Sequence, residues 1–208
     1  MITYTCIPVG LLQSNSYLLR EEATGALALV DCGFFNRPVA DAIREQGGDL
    51  RYLLLTHGHF DHIQGAADCK AAYPTAQVAV SVADAAYLRG EIDAVPGRRS
   101  RYKIAMEPDW LLREGDEIPL GESALRVIET PGHTLGGVCF FAAQERLLLT
   151  GDTLFFEEVG RHDLTGGDWP TLQASLARLI AIEGDAVVLP GHGQASSLAH
   201  ERAHNPYL

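Results

Sequence analysis

Four times in this chain a short run of consecutive apolar residues stops at a turn and is followed closely by a histidine or an aspartate. Leu53-Leu54-Leu55 leads into Thr56-His57-Gly58-His59-Phe60-Asp61-His62, and Val127-Ile128 into Glu129-Thr130-Pro131-Gly132-His133. Leu147-Leu148-Leu149 leads into Thr150-Gly151-Asp152, and Val187-Val188-Leu189 into Pro190-Gly191-His192. A run that is apolar at consecutive positions reads as a strand covered on both faces. Glycine permits a tight turn that brings the following side chain onto the rim of a sheet, where open α/β folds place their sites. Four strand ends of one style are read most economically as converging on one place. For either His133 or His192 taken alone, the default remains an isolated hydrogen-bonded histidine.

Further runs read as strands at Thr3 to Val9, Ser16 to Leu19, Ala26 to Val30, Gln77 to Val80 and Val138 to Phe141. Helical patterns fall between them at Arg37 to Gln46, Asp61 to Ala72, Val82 to Leu88 and Trp169 to Ile182. The last helix is signalled by Asp168 as a cap, Pro170 in the first turn and Gly184 beyond the end. Strands mixed with helices on this scale imply sheets with helices packed outside. The one long irregular stretch, Arg89 to Asp109, contains Pro96-Gly97 and the cations Arg98, Arg99, Arg101 and Lys103. A stretch of that length is read as a solvated excursion or as a binding loop.

Composition narrows the function. With 16 Lys plus Arg against 27 Asp plus Glu, the net charge is -11 and no long basic tract exists. Nucleic-acid binding by phosphate neutralisation is therefore not expected. No window is apolar enough for a membrane span and the N-terminus lacks the basic and apolar regions of an export signal, so a soluble cytoplasmic protein is expected. Cys6, Cys32, Cys69 and Cys139 form no C-x-x-C pair and read as buried, reduced thiols. The residues give no oligomeric state.

The segment His57-Gly58-His59-Phe60-Asp61-His62 carries the chemistry. Eight histidines in 208 residues would fall into this spacing with an aspartate by chance on the order of one time in 10³. Residues two apart in an extended segment point the same way, so His57 and His59 can grip one cation, while Asp61 and His62 lie where the chain turns into a helix. Imidazole and carboxylate are ligands that zinc, iron and manganese accept.

On these motifs the chain resembles the metallo-β-lactamase fold superfamily over nearly its whole length. The resemblance implies an α+β fold, an αββα sandwich of two mixed sheets with helices on the outer faces. It would be one domain over residues 1–208, with similar halves of about 1–110 and 111–208. It further implies two divalent metal ions, zinc first, with iron or manganese as alternatives. His57, His59 and His133 would hold one metal, Asp61, His62 and His192 the other, and Asp152 would bridge them. Asp31, in Val30-Asp31-Cys32-Gly33, would support the site from behind.

Within the superfamily, Gly151-Asp152-Thr153-Leu154-Phe155, Gly160-Arg161-His162-Asp163-Leu164 and the tail from Gly191 are similar to the short glyoxalase II-like hydrolases. Those relatives often place a small hydroxyl residue where His162 stands. His162, His200 and His204 match no ligand motif. The implied activity is hydrolysis of a small-molecule thioester, such as S-2-hydroxyacylglutathione or a related acyl-thiol. Hydroxide generated at the metals would attack, and Asp61 would orient it as the catalytic carboxylate. Full-length glyoxalase II enzymes carry a helical extension with glutathione-binding basic residues, whereas only Gly193 to Leu208 follow His192 here. The expectation is that Arg98, Arg99, Arg101 and Lys103 meet an anionic part of the substrate instead.

The same ligand pattern leaves a persulfide dioxygenase-like iron oxidoreductase as the rival. A β-lactamase proper is disfavoured, because the forms best known for that activity place Cys where Asp152 stands.

Overall fold

The structure is a computed structural model and describes residues 1–95 and 104–208. The first sheet is built from β1 (Ile2–Val9), β2 (Ser14–Glu21), β3 (Leu27–Val30), β4 (Leu50–Leu54), β5 (Gln77–Ser81) and β6 (Trp110–Leu112), in that spatial order. β1 to β3 pair antiparallel and β3 to β6 parallel. Helices α1 (Arg37–Glu45), α2 (Phe60–Ile63), α3 (Ala66–Ala72) and α4 (Ala85–Leu88) connect its strands.

The second sheet has the order β14 (Ser196–Ser197), β13 (Val187–Pro190), β10 (Leu147–Gly151), β9 (Val138–Ala142), β8 (Ser123–Glu129) and β7 (Glu117–Leu120). A small ribbon, β11 (Leu154–Phe155) with β12 (Glu158–Val159), precedes α5 (Trp169–Ile180), and α6 (Leu198–His204) closes the chain. Both sheets are mixed, as expected for an αββα sandwich. Among the described residues no helix is long and apolar enough to cross a membrane.

The strand residues explain the layering. Leu27 and Leu29 of β3 face the helical layer with Val39 and Ile43 of α1, whereas Ala28 and Val30 face the other sheet. In β10, Leu147 and Leu149 enter the layer between the sheets and Leu148 meets Leu172, Leu176 and Leu179 of α5. This two-faced burial is why these strands read as unbroken apolar runs rather than alternating ones. Helix starts follow the sequence signals: Asn36 caps α1 by accepting from Val39 N at 3.2 Å, and Asp168 caps α5 by accepting from Thr171 N at 2.9 Å.

Four details depart from the sequence reading. β6, β7, β11, β12, β14 and α6 were not foreseen, and the helix expected from Asp61 to Ala72 is two pieces. The break is held by the chain after β3: Cys32 N donates to His62 O and Gly65 N donates to Cys32 O, both at 2.8 Å. The helix expected from Val82 is only the single turn of α4. Cys32, Cys69 and Cys139 are buried thiols, but Cys6 is exposed on the edge strand β1.

At the turn after β2, Glu21 is fully buried and accepts from Ala23 N at 3.0 Å, Thr24 N at 2.9 Å and Thr24 Oγ1 at 2.7 Å. The Ala23 amide, with Thr24, holds this carboxyl at about 2 instead of 4.5. A carboxylate pKa lowered by folding contributes stability above its unfolded value, and this is lost as pH falls towards the folded value. Acid unfolding of Glu21→Gln, followed by circular dichroism, is therefore expected to be flatter between pH ~4.5 and ~2 than that of the parent.

Candidate metal centre

Parallel pairing puts the carboxyl ends of β3 and β4 at one edge of the first sheet. β8 and β10 both run antiparallel to β9, and β13 runs parallel to β10, so their carboxyl ends share one edge of the second sheet. The two edges are tied together by Val138 N donating to Thr56 O at 2.8 Å and by Asn15 N donating to Gly191 O at 2.7 Å. His57, His59, Asp61, His62, His133, Asp152 and His192 meet along this seam.

The side chains fall into three groups whose nitrogen and oxygen atoms lie within 4.8 Å of one another: His57, His59, His133; Asp61, His62, His192; and His57, His62, Asp152. The first two groups are the two ligand sets drawn from the resemblance. Asp152 lies between them, with Oδ1 3.3 Å from His62 Nε2, and Oδ2 3.5 Å from His133 Nε2 and 3.7 Å from His192 Nε2. Asp61 Oδ2 is 3.2 Å from His192 Nε2 and 3.7 Å from His62 Nε2.

Hydrogen-bond partners assign the imidazole tautomers. His133 Nδ1 lies 2.6 Å from Arg161 O, and His192 Nδ1 lies 3.2 Å from Leu12 O; carbonyl oxygens only accept, so both Nδ1 atoms donate. His62 Nδ1 is 2.7 Å from Asp31 Oδ2 and donates to that carboxylate. The Thr56 hydroxyl donates to Asp31 Oδ2 at 2.7 Å, so His57 Nδ1, 3.1 Å from Thr56 Oγ1, is the donor there. In their neutral forms these four histidines turn an Nε2 lone pair towards the shared centre.

Their surroundings act on the protons. Burial, then the neighbouring histidines, holds His57 well below the ordinary histidine range, and burial with His133 lowers His59 to about 4. Burial pulls His62 and His192 the other way from their net shift. Asp152 and Asp31 outweigh it at His62, and Asp61 and Asp152 outweigh it at His192, so both are raised. Burial would raise Asp152, but His62 above all keeps it ionised far below the usual carboxylate range.

His57 Nε2, His59 Nε2 and Asp152 Oδ1 are buried without a hydrogen-bond partner. Unpartnered buried polar atoms are costly, and here they sit in a set of nitrogen and carboxylate donors that suits divalent cations. By the chemistry of its donors, the cluster fits the metals the fold family implies.

Asp31 contributes as the resemblance implied. It adopts a positive φ of 59° and is 2% exposed; its Oδ1 accepts from Thr56 N at 2.8 Å. Two glycines are required by close approach. A Cβ at Gly33 would lie 1.7 Å from Asp61 O, and one at Gly191 would lie 2.3 Å from Asp152 Oδ1. Arg98, Arg99, Arg101 and Lys103 lie outside the described residues. On either side of them, Ala94 and Ile104 are buried in the core of the first sheet.

Sequence reasoning missed Asp84. It is fully buried, and its Oδ2 accepts from Gly58 N and Thr134 Oγ1, its Oδ1 from Gly136 N, all at 2.8 Å. It thus joins the loop carrying His57 and His59 to the loop carrying His133. The available signal was a fifth apolar strand, β5, running into Ser81 and Asp84, but no glycine or histidine follows it. Ser14, Asn15 and Tyr17 were also missed. Tyr17 OH donates to Pro190 O at 2.9 Å beside the His192 turn.

A family model described as the metallo-beta-lactamase superfamily matches residues 9–192. Hydroxyacylglutathione hydrolase GloC of Haemophilus influenzae is 30% identical, covering 97% of this chain and 96% of its own. Among solved structures, the BLEG-1 B3 metallo-beta-lactamase superposes with a TM-score of 0.91 at 28% identity and covers 99% of both chains. TTHA1623 in a di-iron-bound form superposes with a TM-score of 0.84 at 32% identity, covering 98% of this chain and 100% of that one.

Proposed function

Because the chain belongs to the metallo-beta-lactamase superfamily, we propose that it is a binuclear metal-dependent hydrolase of thioesters, S-2-hydroxyacylglutathione or a related acyl-thiol. The observation that carries the reading is the buried cluster with its unpartnered His57 Nε2, His59 Nε2 and Asp152 Oδ1. His57, His59 and His133 would hold one divalent cation and Asp61, His62 and His192 a second, with Asp152 shared. Such cations supply Lewis acidity and an ionised water near neutral pH. Zinc is the first choice of metal, with iron or manganese as alternatives; the di-iron neighbour supports iron as a candidate.

The chain's own residues do the rest. Asp31 and the carbonyls of Arg161 and Leu12 hold three imidazoles in their ligating tautomers. Asp61 Oδ2 orients the attacking water. A thiol has a pKa of about 8.5, so a thiolate departs with little help from a general acid. Two of the buried thiols are poor nucleophiles: burial raises Cys139 to about 12, and Cys32 is held well above the usual range by Cys69 and by burial. The 30% identical hydroxyacylglutathione hydrolase supports the acyl-thiol substrate.

The test is thiol release from S-lactoylglutathione, read with a thiol-reactive dye, before and after chelation and metal restoration. Activity that chelation abolishes and metal restores is expected. A β-lactam is tested alongside, its ring opening followed by ultraviolet absorbance, because a B3 metallo-beta-lactamase is among the neighbours. Hydrolysis of the β-lactam without the thioester overturns the acyl-thiol reading.

The cations of the 89–109 segment remain part of the proposal. Neutralising Arg98, Arg99 and Arg101 together is expected to raise KM for an anionic thioester several-fold more than for a neutral one. Equal kinetics on both substrates returns the segment to a solvated surface.

A further inference from the structure

The two ligand sets rest on different parts of the chain. Residues 12–15, the turn between β1 and β2 and the first residues of β2, are tied to Asp61 and His192. Leu12 O accepts from His192 Nδ1 at 3.2 Å, Ser14 Oγ donates to Asp61 O at 2.6 Å, and Ser14 forms an isolated antiparallel bridge with His192.

Asn15 takes the carbonyls on both sides of that histidine. Its Nδ2 donates to Pro190 O at 2.9 Å and Gly193 O at 3.0 Å, and its backbone N–H donates to Gly191 O at 2.7 Å. The turn it grips contains Gly191 and Gly193, the second at φ +75°, residues that leave the backbone free, so its shape depends on these bonds together with Gly191 N donating to Gly151 O at 2.8 Å and Tyr17 OH donating to Pro190 O. Asn15 is buried, and its Nδ2 also lies 3.2 Å from Tyr17 OH, so a carbonyl lost from this amide is costly.

The other set has its own support. Asp84 fixes the backbone at Gly58 and Gly136 and the hydroxyl of Thr134, which flank His57, His59 and His133. Among the described residues, no hydrogen bond links residues 12–15 to His57, His59 or His133, and none links Asp84 to Asp61 or His192.

We propose that Ser14 and Asn15 are positioning residues for the Asp61, His62, His192 set alone, so that the two metals are held with separately adjustable affinities. This rests on reading the cluster as a two-metal centre. Residues that orient ligands without touching the metal commonly change metal affinity by ~10–100-fold. Loosening the turn between β1 and β2 is therefore a way to obtain a folded chain with one metal, while loosening Asp84 acts on the other set.

The experiment is a zinc titration of chelator-stripped full-length protein against a chromophoric competitor, with the melting temperature of the metal-free protein measured alongside. Asn15→Asp keeps the side chain's size and replaces the Nδ2 donor with an acceptor. Ser14→Ala removes only the bond to Asp61 O and decides the matter if Asn15→Asp does not fold. Parent protein is expected to take two equivalents. In both variants one equivalent weakens ~10–100-fold and the other is unchanged, whatever the shift in the melting temperature of the metal-free protein. In His192→Ala, which should already lose most of that equivalent, adding Ser14→Ala should leave the remaining equivalent, held by His57, His59 and His133, unchanged. Equal weakening of both equivalents, or a fall in melting temperature with no selective loss, overturns the proposal alone. A parent protein that binds a single equivalent overturns the two-metal reading and this inference together.

Discussion

Asp152→Ala is expected to lose metal from both ligand sets, whereas His192→Ala should empty mainly one. The carboxylate of Asp152 lies within 3.3 to 3.7 Å of His62, His133 and His192, which span the two sets. Its removal also takes away one of the anions facing His62 and His192, which keep Asp61, and the carboxylate beside His133. The affinity loss should exceed the ~100-fold that an outer partner costs, because on the proposed reading the substitution would remove a direct donor to both ions. Elemental analysis of protein purified without chelators measures the outcome. An Asp152→Ala protein that retains both metals as the parent does would overturn the assignment of this residue as the shared ligand.

The second large effect concerns reaction class. Attack by water needs no oxygen, so thiol release from S-lactoylglutathione is expected to proceed unchanged under anaerobic conditions. The rate should rise with pH as the attacking water ionises, with a midpoint near ~7. His57→Ala and His133→Ala should each lower kcat/KM by at least the ~10²-fold that removing one stabilising group at a developing oxyanion costs. Both present Nε2 to the centre and belong to the His57, His59, His133 set, whose cation would polarise the substrate carbonyl in the proposed reaction. Oxygen uptake with glutathione persulfide, dependent on one ferrous ion and without thioester turnover, would replace the hydrolase with the persulfide dioxygenase reading.

Much of the site was legible because its chemistry is local. His57, His59, Asp61 and His62 share one segment, and their residue types announce themselves by the ligand chemistry they offer. His133, Asp152 and His192 were legible through context, each standing after an apolar run and a glycine. Several of the strands that were found, such as Leu27–Val30 and Leu147–Gly151, are buried on both faces.

The strands that were missed are short and carry weaker signals. β7 contains Pro119 and buries only Ile118 and Leu120, and β6 follows the long irregular stretch with Trp110 partly exposed. α6 was hidden because its helical face is short, with only Leu198 and Glu201 buried. The supporting polar residues were illegible for a different reason. Ser14, Asn15 and Asp84 are ordinary turn and cap residues in sequence, and what they do is decided by partners 47 to 178 residues away for Ser14 and Asn15, and by Gly58, Thr134 and Gly136 for Asp84.

A seam placed between two sheets also orders the way the chain can reach its native state. His62 and His192 are 130 residues apart, and Asn15 reaches across 175 residues to Pro190. Closing loops of that size costs chain entropy before any contact repays it, which makes such pairings slow and late. The histidines of residues 57–62 come together early as neighbours in one segment, but the full constellation exists only after the second sheet has docked. Ions that favour the completed constellation then act by mass action on the native state, adding ~2.7 kcal/mol when present at 100 times their Kd. If the constellation is completed only after the folding barrier, that gain is expected as a slower rate of unfolding with a nearly unchanged folding rate, which stopped-flow unfolding with and without metal measures.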